Sequence, residues 1–106
     1  MSEHANGSTV HLCRRQKLVV RLHSTYWRDL ASSNKGVLRK SGPTVVRPAA
    51  PTACVPGAGC GTATAHFVAV ARGRAHVTAD RTLCGEAVQC GPGQRSFVLV
   101  VVVRRR

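Results

Sequence analysis

Acidic residues are scarce in this chain of 106 residues, in which four Asp plus Glu stand against sixteen Lys plus Arg, for a net charge of +12 with histidine neutral. The scarcity leaves carboxylate chemistry little material. Asp80 and Glu86 are the only acids of the C-terminal half, no nucleophile accompanies them, and they read as loop caps or as partners of Arg81 or Arg95. Aromatic residues number four, too few for an evident base-stacking platform. Long apolar runs are missing too: FVLVVVV at 97 to 103 is the most apolar stretch, and a membrane-crossing helix needs about 20 residues, so it reads as a buried strand and no transmembrane segment is expected. The start, MSEHANGSTVHLC, lacks the basic residues and apolar core of a secretory signal. No Walker-type phosphate loop, Rossmann fingerprint, HExxH or GxSxG elbow occurs, nor a zinc-finger or helix-turn-helix signature. The expectation is a protein that is not an enzyme and uses no cofactor.

What is present is period-two alternation. Leu18, Val20 and Leu22 fall on one face of a strand with Lys17, Val19, Arg21 and His23 on the other. In TATAHFVAVA, Ala65, Phe67, Ala69 and Ala71 share a face opposite Val68 and Val70. Ala75, Val77 and Ala79 alternate likewise after an Arg72–Gly73 turn candidate, so residues 62 to 79 predict a hairpin. Phe97, Leu99, Val101 and Val103 share a face of the last strand. Between them, TYWRDLASSNKGVLRKSG predicts a long connection with one short extended piece at Gly36 to Arg39. Prolines at 43, 48, 51 and 56 with glycines at 57, 59 and 61 exclude a regular helix from 42 to 61. The sum is all-β and antiparallel, a sandwich or barrel with long loops and little or no helix. Its length suits one domain over residues 10–103, with a flexible segment at 1–9 and a basic tail at 104–106.

Five cysteines are many for this length. CVPGAGC at 54 to 60 and TLCGEAVQC at 82 to 90 each separate two cysteines by five residues. Metal ligation stays open, by Cys54, Cys60, Cys84 and Cys90 with His66 or His76 able to replace one, although zinc frames more often space their pairs by two to four residues. A reactive thiol stays open as well, without CxxC or an adjacent acid–base partner. Local disulfides 54–60 and 84–90 are favoured, because Pro56, Gly57, Gly59 and Gly85 supply turning backbone, and each bridge would contribute about 2–4 kcal/mol. Cys13 is left over as a small hydrophobe of the first strand.

The segments LHSTYW at 22 to 27, PGAGCGTATAHFVAVARGRAHVTADRT at 56 to 82, CGEAVQC at 84 to 90 and the closing FVLVVVV together resemble a group of small Ig-like β proteins of high-GC actinobacteria, over about residues 10 to 103. In layout they are also similar, more remotely, to the chagasin-like inhibitors of cysteine peptidases. The first resemblance implies an Ig-like β-sandwich, usually exported, with a signal upstream of Val10. The second implies three inhibitory loops, placed at Ser24, Thr25, Tyr26 and Trp27, at Gly57, Ala58, Gly59 and Gly61, and at Ala79, Asp80, Arg81 and Thr82. Arg81 matches the arginine of that family's third loop, in which proline and tryptophan are absent here, and the first loop lacks its Asn-Pro and glycine.

Candidate sites follow. Tyr26, Trp27, Arg28, Gly57, Gly59, Asp80 and Arg81 form a candidate loop surface, with Tyr26 and Trp27 alternatively anchoring the core edge. Arg14, Arg15, Lys17, Arg21, Arg39, Lys40, Arg72 and Arg74 form candidate anion contacts. His23, His66 and His76 read as strand packing. The leading functional expectation is a noncatalytic Ig-like binding or structural module, secreted or attached to the cell envelope, that contacts protein or an acidic envelope polymer. A cysteine-peptidase inhibitor and a basic nucleic-acid-binding protein are the alternatives, and a cytoplasmic location is the alternative to export.

Overall fold

A computed structural model describes residues 1–48, 60–85, 88–91 and 94–104. The strands are β1 (Thr9–Cys13), β2 (Lys17–His23), β3 (Arg28–Ser32), β4 (Leu38–Lys40), β5 (Val45–Pro48), β6 (Gly61–Ala69), β7 (Gly73–Asp80), β8 (Leu83–Gly85), β9 (Val88–Gln89) and β10 (Ser96–Arg104), and a single 3-10 turn (Glu3–Ala5) precedes them. One sheet runs β1-β10-β7-β3, and the other runs β2-β6-β4 with β5 also on β6. A third ladder, β8-β9, stands apart.

The alternation read in the sequence decides which faces meet. Leu18, Val20 and Leu22 of β2, Ala63, Ala65, Phe67 and Ala69 of β6, Ala75, Val77 and Ala79 of β7, and Phe97, Leu99, Val101 and Val103 of β10 are all buried in one core cluster. The small alanines of β6 and β7 leave room for Phe67 and Phe97, which are 1% exposed, and such interlocking of large and small side chains fills a sandwich core without voids.

Two expectations need correction. The hairpin over 62 to 79 does not form: β6 pairs with β2, β4 and β5, whereas β7 pairs with β10 and β3. Val70 to Arg72 instead carries the chain from one sheet to the other, and the amides of Val70 and Ala71 donate to the Val37 carbonyl at 2.8 and 3.4 Å. The long connection contains a whole strand, β3, which bulges between Arg28 and Ala31 where Asp29 takes a positive φ of 55°. The sandwich is all-β and mostly antiparallel, as expected, with one parallel ladder, in which β1 runs beside β10 in the register Thr9 to Val100 through Cys13 to Arg104.

Residues 1–8 lie against β10 and β2. The Gly7 amide donates to the Val98 carbonyl at 2.7 Å, the Val98 amide donates to Asn6 Oδ1 at 2.8 Å, and the Val100 amide donates to the Ser8 carbonyl at 2.9 Å. Glu3 accepts from the His23 amide at 2.6 Å and also meets the His23 ring. Partial burial acts to raise the Glu3 carboxyl pKa, but the two hydrogen bonds and the charge of His23 outweigh it and hold the group below its ordinary value of 4.5. A depressed carboxyl stabilises the fold above its unfolded pKa and ceases to do so as the pH falls through its folded one. The His23 amide resonance is therefore expected to shift on acidification below 4.5, in step with release of the first turn. Glu3→Gln should abolish that shift, and a shift that survives the substitution would refute the assignment.

Candidate functional site

The chain ends three strands at one pole. β2 ends at His23 opposite Thr62, near the start of β6, and β7 ends at Asp80, which pairs with both Ser96 and Arg28. The connections β2 to β3, β5 to β6 and β7 to β10 therefore emerge together. The first is tied to the start of β6, because the Ser24 amide donates to the Gly61 carbonyl at 2.9 Å. Ser24 holds a positive φ of 117°, and its hydroxyl accepts from the Tyr26 amide at 3.1 Å. A non-glycine residue in that region stores strain of about 1–3 kcal/mol and recurs where a loop must hold one shape.

Trp27 links the first loop to the third. It is 6% exposed, its Nε1 donates to the His23 carbonyl at 2.9 Å, and the Arg81 guanidinium lies over its ring, 4.4 Å from the centroid. Trp27 is thus a buried floor, and the surface above it is made by its neighbours. Tyr26 is half-buried and Arg28 is exposed. Burial lowers the Arg81 pKa, with Glu3 partly offsetting it, so the first turn of the chain also lies within electrostatic reach. Asp80 pairs with Arg28 at 3.6 Å, not with Arg81 or Arg95 as expected. Both partners are well exposed, so the pair orients the two side chains more than it stabilises them.

The third connection is internally braced. Cys84 and Cys90 form a disulfide across the β8-β9 ladder. The Cys90 amide donates to the Thr82 carbonyl at 3.1 Å, Arg95 Nε to the Cys90 carbonyl at 3.3 Å, and Arg81 Nε to the Gln94 carbonyl at 2.8 Å. Cys60 is also disulfide-bonded, while Cys54, its expected partner, lies outside the described residues, as do Gly57, Gly59 and Glu86. Bonded sulfurs offer neither thiolate ligands nor nucleophiles, so the zinc and thiol readings lapse for Cys60, Cys84 and Cys90. No group of three or more His, Cys, Asp or Glu able to hold a metal ion occurs among the described residues. Cys13 is a free thiol, partly buried at the end of β1.

The candidate anion contacts divide. Lys17 and Arg21 on β2 and Arg39 on β4 share the outer face of one sheet. Arg14 and Arg15 occupy the β1 to β2 turn at the far pole, where the Arg15 amide donates to the Ala69 carbonyl at 2.7 Å. Arg72 and Arg74 flank Gly73 beside Arg104 on the other sheet. Lys40 is tied at the edge, its Nζ donating to Thr44 Oγ1 at 2.6 Å. His23, His66 and His76 are exposed on outer faces instead of packed inside, because the alternation that buries Leu22, Ala65 and Ala75 turns their neighbours outward. Arg47 belongs with the first group although the sequence does not single it out, since its segment has too little alternation to assign it a face.

No protein-family model and no curated protein matches the chain. Among solved structures it is similar to a cysteine protease inhibitor from Entamoeba histolytica, with a TM-score of 0.66 at 14% identity over 98% of this chain and 92% of the other. It is similar also to Amebosin, with a TM-score of 0.63 at 16% identity over 98% and 95%. Identity so low carries architecture and not residues. What the chain shares with both, along nearly its whole length, is an essentially all-β, mostly antiparallel, Ig-like sandwich fold.

Proposed function

We propose that this protein is a noncatalytic binding module that inhibits a cysteine peptidase with the pole where its three connections meet. The observation that carries the reading is the convergence of Ser24–Gly61 and Trp27–Arg81 contacts on a fold similar over 98% of the chain to a cysteine protease inhibitor. Inhibition of this kind asks for a rigid complementary surface and no reacting group. The buried Trp27, the strained Ser24 and the bridged 84–90 loop supply that rigidity, which lowers the ordering cost of association. Arg28, Arg81 and Tyr26 offer the arginine and aromatic chemistry that dominates protein interfaces. An oxidising location, secreted or at the cell envelope, is part of the proposal, supported by the Cys84–Cys90 bridge and the bonded Cys60.

The test is titration of the disulfide-intact protein against a panel of active papain-like peptidases. A saturable, stoichiometric loss of activity is expected with at least one of them, and Arg28→Glu should weaken it by about tenfold or more. Full activity across the panel at micromolar excess would defeat the reading.

A further inference from the structure

The outer face of the β2-β6 sheet carries a feature that peptidase inhibition does not use. β6 forms a floor one strand wide, with Thr62, Thr64 and His66 pointing outward. Arg21 on β2 stands opposite Thr64 on one side. On the other side β5 places Val45 opposite Thr64 and Arg47 opposite Thr62. These six residues line a furrow of about 400 Å³. Its two arginines flank the floor on strands about 10 Å apart, within reach of a single group lying between them. Farther along the same floor, Lys17 and Arg39 both stand opposite Val68. Cations thus border β6 on both sides from Thr62 to Val68, a length of about 20 Å.

No acid lines this track. The ion pairs among the described residues are His23 with Glu3 and Arg28 with Asp80, so Arg21, Arg47, Lys17 and Arg39 face solvent uncompensated. A row of uncompensated cations is self-repulsive and is relieved by a bound polyanion with release of counterions. We propose that this track binds a linear polysaccharide bearing sulfate or phosphate esters, with one tetrahedral oxyanion held between Arg21 and Arg47 and hydrogen-bonded by the hydroxyls of Thr62 and Thr64. Forked guanidiniums suit such an oxyanion. The floor is one strand wide and concave, which fits a thin chain better than a nucleic-acid duplex. No Phe, Tyr or Trp lines the furrow, so it lacks the large aromatic platforms on which single-stranded nucleic acid is usually held.

The test compares two charge-matched variants against a short heparin oligosaccharide and a duplex DNA of equal charge. Arg21→Ser with Arg47→Ser should weaken oligosaccharide binding by about tenfold and flatten its salt dependence. Arg72→Ser with Arg74→Ser, an equal change on the other sheet, should leave both nearly unaltered. In the unmodified protein the oligosaccharide should shield Arg21 and Arg47 from an arginine-directed reagent while Arg74 stays reactive, a measurement independent of whether the first variant folds. Equal losses in the two variants, uniform shielding, or tighter binding of the duplex would each overturn the proposal. Peptidase inhibition should be unaffected by Arg21→Ser with Arg47→Ser, so the two activities stand or fall separately.

Discussion

Trp27→Ala is expected to lower the free energy of unfolding by about 4 kcal/mol, the usual range for deleting a buried indole. The residue is 6% exposed within the common core cluster, and the substitution removes more than volume. It leaves the His23 carbonyl without its indole donor at 2.9 Å, and Arg81 without the ring it covers at 4.4 Å. Two loops therefore lose one support together. Trp27→Phe keeps a ring beneath Arg81 but not the donor, and should cost only about 1–2 kcal/mol. Denaturant unfolding of the two variants separates the contributions. A loss below about 1 kcal/mol for the alanine variant would be out of range for a buried aromatic and would mean that Trp27 does not hold the pole together.

Gly61→Ala should be nearly as costly, about 3 kcal/mol. Gly61 has a φ of +141°, and an added Cβ would lie 2.3 Å from the Arg47 carbonyl oxygen and 2.9 Å from both Pro48 Cα and Thr25 Cγ2. Two of those three obstacles are backbone, so relief requires β5 to move off β6. Arg47 would move with it, and oligosaccharide binding should weaken along with stability. Gly73→Ala is the informative comparison. Its φ of +147° imposes similar strain, but the atom it meets at 2.7 Å is the side-chain methyl Val37 Cγ2, which can yield. Its loss should be smaller. Equal losses would show that strain at positive φ, and not collision with β5, governs both positions.

The buried faces are legible in the sequence because period-two alternation is a local property. Leu18, Val20 and Leu22 or Phe97, Leu99 and Val101 declare their side without knowing their partner. Pairing is not local, which is why Arg72 and Gly73 suggest a hairpin turn while the flanking strands belong to different sheets. β3 is hidden for a related reason: its bulge at Asp29 leaves Leu30 as its one buried residue, too short a pattern to recognise. The pole is legible in part, since Tyr26, Trp27 and Arg81 stand out as rare or matching residues. That Trp27 faces inward and Arg81 covers it depends on tertiary packing. The basic track depends on the register of β2, β4 and β5 against β6, so composition and alternation point to its members on β2 and β4 but not to Arg47 on β5.

The parallel pairing of β1 with β10 has a consequence for how the chain acquires its shape. Thr9 meets Val100 and Cys13 meets Arg104, so a strand made early waits for one made late. Until then β1 is an open edge carrying Val10 and Leu12, which pack against the core only in the finished sandwich. Contacts so distant in sequence make folding slow, and during synthesis on a ribosome the sheet containing β1 closes only after β10 has emerged. Arg14 and Arg15 directly after β1, and Arg104 ending β10, place positive charge beside both apolar strands during that interval and oppose the edge-to-edge association of nascent chains.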